Sequence, residues 1–576
     1  MLTPLNWNFG LLNRVVILFI VTIMIISSGV SAAPGEPEPE LNPVPPEYFD
    51  ISGPERLTDN IHRSIMPNIL IDSEDNLHLI WADSRADPDP DDGKFLHAIF
   101  YKKFDKFGEV MIDDTQLTDL SYYGGYPYQY FFPDPNVAFD SEENIHMAYV
   151  DGMKNGFNGY YPNFEIYYMK LDSGLDYGGE SAVRSELVLI DEQRVSEGVV
   201  HSGDPVIAID SGDNAHIVWY DHRSCNWNYE IYYEKISPAG AVLIDDMAIT
   251  SYLGYCAGPS LDIDTMDNLH IGFKCYDWWT FLNSQYYLKM DNDGTILVGP
   301  TVFANEGKST PYLWYKGYPA VVVDGDDNVH MAWADERWSS DYEVSYMKLD
   351  NNGAPLMAGP QRISDTPGKS SLQEFGIDDS GRLYLLWRDD TPGDYQIYMS
   401  VLNPDGSTLM DQYQLTASAS LSESPSMAVD SNGYIHIAFM DTITLYPEIY
   451  KIVLMPRLVN LAFVATGVGS GALELTIYED NDKDVIAQVT ITRTPGNPVE
   501  SVAFVSFLAS REESYSLECN LVAPTAKKSG FGAVPLKIYS VEEGELAHIL
   551  AETVVNKNAG KNPKSCSSID LDAIIP

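Results

Sequence analysis

Seven stretches of this chain repeat one pattern of apolar and polar positions. An apolar run ends in Asp, a Ser/Gly/Asp/Asn turn follows, and a second apolar run carries a His and, three positions later, an aromatic residue. The first copy reads Ile71-Asp72-Ser73-Glu74-Asp75-Asn76-Leu77-His78-Leu79-Ile80-Trp81-Ala82-Asp83. Its relatives carry His146, His216, His270, His330, Tyr384 and His436 where the first has His78, at spacings of 68, 70, 54, 60, 54 and 52 residues by subtraction. Repeats of about 40 to 50 residues with several strands each are the mark of propeller blades, and the surplus length fits loops.

Each repeat resolves into four strands. The first ends in Asp72, Asp140, Asp210, Asp264, Asp324, Asp378 or Asp430 and in six copies opens with a proline, Pro67, Pro135, Pro205, Pro259, Pro319 or Pro425. Proline lacks a donor and suits the opening residue of a strand. The second strand holds the His. The third reads Glu165-Ile166-Tyr167-Tyr168 in repeat two and Glu230-Ile231-Tyr232-Tyr233 in repeat three, and a Gly-containing turn leads to the fourth. Gly53-Pro54-Glu55-Arg56-Leu57-Thr58-Asp59 matches the fourth-strand segment Gly359-Pro360-Gln361-Arg362-Ile363-Ser364-Asp365, while the last repeat ends after its third strand. An orphan strand at one end and a missing strand at the other predict a closed ring, which hides sheet edges. The expected fold is all-β: a seven-bladed β-propeller over residues 48–456, closed by an N-terminal strand. From Arg457 the repeat stops, and about seven short strands predict a small immunoglobulin-like β-sandwich over residues 457–576.

The start of the chain changes the setting. Arg14, the apolar run Val15 to Ile26, and the small residues Val30-Ser31-Ala32 read as a signal peptide over residues 1–33, with an uncleaved anchor as the alternative. A Pro/Glu-rich linker follows at 34–47. The expected location is extracellular or at the cell surface. With 84 acidic against 35 basic residues, the formal charge of −49 excludes nucleic acid and anionic lipid as natural partners. Membrane contact is expected only through an uncleaved N-terminal segment. Export permits disulfides among the five cysteines; Cys225 with Cys256 and Cys519 with Cys566 are the candidate pairs, Cys275 lying near the first.

Candidate chemistry gathers in the loops between second and third strands and between repeats, which share one face. Trp227, Trp278, Trp279, Trp314, Tyr315, Tyr318 and Trp338 lie there; they either pack the long loops on themselves, the favoured reading, or bind sugar or peptide. Asp83, Asp151, Asp221, Asp335, Asp389 and Asp441 end the second strands as an acidic ring; presence in nearly every repeat predicts a structural task, accepting donors from the following loop. Arg85, Arg223 and Arg337 come two residues later in alternate repeats. They either clamp a carboxylate ligand or pair within the repeat, with Glu230 and Glu343 as the expected partners. Six histidines at one position of six blades cannot converge on one metal, so no metal site is expected from them. Turns such as Asp291-Asn292-Asp293-Gly294 hint at calcium but lack the spacing of a calcium loop, so no cofactor is expected, with calcium the one exception kept open.

The run Asp210-Ser211-Gly212-Asp213-Asn214-Ala215-His216-Ile217-Val218-Trp219-Tyr220-Asp221-His222-Arg223, followed by Glu230-Ile231-Tyr232-Tyr233, resembles the sialidase-like (BNR-type) propeller repeats of exported archaeal and bacterial proteins. Sialidases use an arginine triad, a Tyr/Glu nucleophile pair and an acidic proton donor, which the resemblance would map onto Arg85, Arg223 and Arg337. This chain lacks the F-R-I-P segment and the S-x-D-x-G-x-T-W box of that family. The expectation is therefore a non-catalytic recognition module binding an extracellular glycan or protein through the loop-rich face. A sialidase-like glycoside hydrolase or lyase is the alternative, and an architectural surface-layer component the second.

Overall fold

The computed structural model describes residues 38–570 except 44–45, 61, 86–95, 123–132, 153–163, 198–200, 224–228, 252, 278–279, 309–316, 339–341, 445, 467–471, 480–484, 493–499, 511–513, 523–533, 543–544 and 556–568. The proposed signal segment lies outside these. The described residues form two compact units, one built on 52–454 and the other on Pro45–Ile51 with Met455 onward. No helix among them is long and apolar enough to cross a membrane.

The larger unit is a β-propeller of antiparallel sheets that follow the repeats. Repeat three is typical: Ser202–Ile209, Ala215–Asp221, Glu230–Ile236 and Val242–Ala248 pair in chain order. In the last repeat, Ser422–Val429, Ile435–Asp441 and Glu448–Pro456 are completed by Phe49–Arg56 from the start of the chain. First strands of successive repeats lie side by side, and Ser422–Val429 lies beside Ser64–Ile71 of the first repeat, which closes the ring. Hydrogen bonds tie neighbouring first strands together. Ile207 N–H donates to Asn136 Oδ1 at 2.9 Å, Val321 N–H to Ser260 Oγ at 2.8 Å, and Ile69 N–H to Ser426 Oγ at 3.1 Å across the closure.

Second strands such as Leu77–Asp83 are buried along their whole length because sheets cover both faces. That explains their continuous apolar runs. Trp81, Trp219, Trp333 and Trp387 fill equivalent positions and are fully buried. The turns after the first strands form a second set of ties. The backbone N–H of Ser73 donates to Glu143 of the next repeat, Ser141 to Asp213, Ser211 to Asp267, Thr265 to Asp327, and Ser431 to Asp75. Repeat six breaks the series, because Gly381 and Gly433 stand where the acceptors would be.

The smaller unit has two four-stranded sheets. One runs Glu500–Leu508, Leu458–Thr466, Val534–Glu542, Glu545–Val555; the other runs Val485–Thr492, Ala472–Glu479, Tyr515–Val522, Ile569–Asp570. Phe463 and Ile538 from the first meet Leu475, Ile477 and Leu517 from the second in one core.

Two expectations change. The disulfide is Cys256–Cys275, not Cys225–Cys256: the two stand directly opposite on paired strands with Cα atoms 4.1 Å apart. Strand register set this pairing. Cys519 is also disulfide-bonded, while Cys225 and Cys566 lie outside the described residues. The segment expected as linker is partly fixed: Leu41 bridges Thr416, and Ala417 N–H donates to Glu40 O at 2.6 Å.

Candidate functional site

The repeated polar residues hold the sheets. His216 contacts Asp210 Oδ2 through Nε2 at 3.1 Å and the Tyr233 hydroxyl through Nδ1 at 2.9 Å. The same arrangement recurs at His78, His146, His270 and His330. Burial alone would raise the carboxyl of Asp210, but hydrogen bonds from His216 and Asn214 hold it far below the carboxylate range. Burial pushes His146 down to about 4 despite Asp140. With both ring nitrogens engaged, these imidazoles are internal braces. In repeat six Tyr384 replaces the His, and its hydroxyl donates straight to Asp378 at 2.8 Å.

The acidic ring at the ends of the second strands faces inward to its own repeats. Asp221 accepts from Ser202 Oγ at 2.8 Å and from the Arg223 N–H at 2.7 Å; Asp389 accepts from Ser370 at 2.7 Å and the Thr391 N–H at 2.8 Å. Asp83, Asp335 and Asp441 do likewise for Arg85, Arg337 and Ile443. Asp151 is buried at the same place.

The arginines pair locally, but with other partners than expected. Arg85 bridges Asp83 and Asp114, Arg223 bridges Asp221 and Asp246, and Arg337 pairs with Asp335. Asp114 and Asp246 lie on outer fourth strands, so two of these guanidiniums reach away from the ring's centre. Glu230 instead accepts from Thr250, and Glu343 from Arg362 and Ser364. The three arginines form no triad. Trp227, Trp278, Trp279 and Trp314 lie outside the described residues. Trp338 is exposed and donates its indole N–H to Ser345 at 2.8 Å.

The ring's centre holds different chemistry. In repeats one, three, four and seven the proline lies inside the first strand, not at its opening as expected, and the residue before it sits at a β-bulge, where register slips by one residue. There Met66, Asp204 and Ser424 take positive φ of 52°, 48° and 54°, and Asp134 of repeat two takes 41°. Such a backbone is unusual for residues with a side chain, and the surrounding sheet must hold it. Asp134 and Asp204, from adjacent repeats, line one pocket of about 350 Å³ together with Asn136, Gly258, Tyr318 and Gln373. Solvent reaches Asp134, and Asp204 is half-buried.

Although Asp134 is exposed over part of its surface, loss of water around its carboxyl pushes it up to about 6. Burial and the charge of Asp134 push Asp204 up to about 7, against a hydrogen bond from the Gly258 N–H. Both carboxyl groups therefore keep their protons to higher pH than an ordinary aspartate, Asp204 the more so. Gly258 has φ +57°, and a Cβ there would lie 2.0 Å from Tyr318 Cγ, so the Tyr318 ring rests directly against the glycine.

Sequence reading missed this pair because the prolines drew the pattern and the residues before them vary. The usable signal was that variation: Met66, Asp134, Asp204, Gly258, Tyr318 and Ser424 depart from one another inside a constant frame.

No protein-family model and no curated protein matches the chain. Among solved structures, a polysaccharide lyase of family PL25, an ulvan lyase, is 9% identical, covering 68% of this chain and 93% of its own, with a TM-score of 0.46. An α-L-arabinofuranosidase from Lactobacillus brevis is 10% identical over 53% of this chain and 97% of its own, TM-score 0.31. The subtype N10 neuraminidase-like protein of A/little yellow-shouldered bat/Guatemala is 9% identical over 71% and 99%, TM-score 0.35. Likenesses this loose carry no argument about chemistry. The first two are named as a polysaccharide lyase and an α-L-arabinofuranosidase, which stands against the expectation of a non-catalytic recognition module and beside its alternative, a glycoside hydrolase or lyase. The pocket's carboxylate pair is the feature of this chain that agrees with the correction.

Proposed function

We propose that this protein is an exported glycoside hydrolase whose active site is the channel mouth of a seven-bladed propeller, with an immunoglobulin-like domain appended. The observation that carries the reading is the Asp134–Asp204 pair, held on strained backbone in one pocket with both carboxyl groups raised. Asp204, the harder to ionise, is the general acid: it gives its proton to the glycosidic oxygen as the bond from C1 to that oxygen breaks. Asp134, ionised, takes a proton from the water that attacks C1. One water is consumed, and the pair ends with its proton on the other carboxylate, to be exchanged with solvent. Separated pKa values are how paired carboxylates divide these roles.

Hydrolysis is favoured over lyase elimination. Elimination from a uronate needs a group to neutralise its carboxylate, and no first strand carries a Lys or Arg. The chemistry proposed calls for no cofactor. The test is release of reducing ends from a panel of polysaccharides by the purified chain, with Asp134→Asn and Asp204→Asn as controls. Loss of release in both variants with folding intact supports the assignment. Release of unsaturated, ultraviolet-absorbing ends would identify a lyase, and release unchanged in either variant would remove that residue from the site.

A further inference from the structure

The pocket has a second half that the carboxylate chemistry does not use. Tyr318 is half-buried and lines the same pocket as the acids. Gly258 connects the two halves. Its N–H donates to the Asp204 carboxyl, and its missing side chain leaves room for the Tyr318 ring. Any side chain at position 258 would push that ring away. Pro205, Pro259 and Pro319 add apolar surface to the wall. The amides are half-used. Asn136 accepts the Ile207 N–H through Oδ1, so its NH2 remains to donate; Gln373 donates through Nε2 to Leu372 O, so its Oε1 remains to accept.

The charge around this surface has one sign. The ionisable groups lining the pocket are Asp134 and Asp204. Further along the first strands stand Asp262, raised to about 6, and Glu374, raised to about 8, both by burial. Lys274 approaches from behind Gly317, is buried, and lies over the Tyr342 ring, outside the pocket lining. An anionic sugar entering here would face two carboxyl groups, with no cation among the described residues that line the pocket. A like charge within several ångströms costs binding, and more so where water is scarce. An uncharged sugar meets an aromatic face, apolar proline edges and amides able to exchange hydrogen bonds with hydroxyls, which is the usual make-up of a neutral carbohydrate site.

We propose that the channel mouth takes an uncharged sugar residue that stacks on Tyr318, with Gly258 as the positioning residue that sets the ring beside the acid pair. The inference rests on the hydrolase reading and names the substrate class of that site. It rules out sialosides and uronates as preferred substrates, the class that the sialidase resemblance would suggest.

The test is calorimetric binding to the wild-type chain of S-linked disaccharides of the common neutral hexoses and pentoses, which resist hydrolysis, beside the same hexose compounds oxidised to the acid at C6. The expected result is at least tenfold tighter binding of a neutral compound than of its C6 acid at pH 8, where both aspartates are ionised. The gap should narrow at pH 5, where both carry protons. Tyr318→Ala and Gly258→Ala should each weaken the neutral compound about tenfold. Tyr318→Phe should bind as wild type. Equal or tighter binding of the acids, no effect of Tyr318→Ala, or no binding by any neutral compound would overturn the inference. Failure of the two readings is separable. Neutral binding without cleavage of the O-linked counterparts leaves the subsite and removes the hydrolase, whereas cleavage indifferent to Tyr318→Ala does the reverse.

Discussion

The two ends of the same first strand follow different rules. At the turn end, Asp72, Asp140, Asp210, Asp264 and Asp324 each receive a buried His whose other nitrogen meets a Tyr. At the channel mouth the residue before proline changes from repeat to repeat, and only repeats two and three place an acid there. The turn end does the same mechanical work in each sheet, so its chemistry is constant and internally satisfied. The mouth is the one place where sheets converge on a shared space, so each repeat can contribute something different. In a ring of this kind, constancy marks support and departure marks the site.

The sharpest way to break this comparison is at the mouth. Asp204→Asn should lower kcat about 10³-fold, the scale of a lost general acid. It should not destabilise the fold. The folded-state pKa of Asp204, about 7, stands above its ordinary 3.8. Its contribution to stability is therefore full below about pH 4 and is lost as pH rises through 7. The amide should accordingly raise Tm at pH 8 relative to wild type and not at pH 4, measured by thermal unfolding. A drop in Tm at pH 8 would mean that the carboxylate is structural.

The turn end should behave in the opposite way. His216→Ala leaves Asp210 and the Tyr233 hydroxyl buried with fewer partners. It should cost about 3 kcal/mol in denaturant unfolding, the scale of an uncompensated buried polar contact. kcat per folded molecule should stay as wild type. A catalytic loss without a stability loss would erase the distinction between the two ends.

The pH profile sharpens it further. Activity should rise as Asp134 ionises near 6 and fall as Asp204 ionises near 7, giving a narrow bell. A plateau extending above pH 9 would exclude Asp204 as the acid.

Smaller effects distinguish repeats from one another. Repeat six lacks the turn-to-turn ties, so amides of Ser370–Ile377 should exchange with deuterium faster than those of Ser202–Ile209. Asp379→Ser combined with Gly433→Asp should slow them by adding a contact worth about 1 kcal/mol. Arg337→Ala removes a partly exposed guanidinium from buried Asp335, which keeps its bonds from Trp333, Ser345 and the backbone N–H at 337, so stability should fall by about 1 kcal/mol with catalysis unchanged.

Much of the scaffold was legible from spacing and periodicity. The six second-strand histidines and their one Tyr substitute, the orphan segment at Gly53, and the strands of the second domain all appear in the structure near their expected positions. These features are local or repeat at fixed intervals, so a pattern of apolar positions suffices to find them. The disulfide was misread because loops were compared, whereas register on Tyr255–Ile263 and Leu269–Asp277 brings Cys256 opposite Cys275. The arginine partners differ from those expected because Asp114 and Asp246 reach Arg85 and Arg223 from fourth strands, a neighbourhood that the order of residues does not reveal.

Repeat length, strand order, the orphan strand at one end and the missing strand at the other determine a closed ring without reference to coordinates, since backbone groups at an open edge demand partners. What the ring encloses was decided in three dimensions alone. Asp134 and Asp204 lie 70 residues apart by subtraction, and neither resembles a motif. Adjacent first strands come together in the ring, and both acids take left-handed backbone beside one pocket, Asp204 at a bulge. The proton affinity of Asp134 then follows from burial, and that of Asp204 from burial and the charge of Asp134, quantities that exist only once the chain has folded.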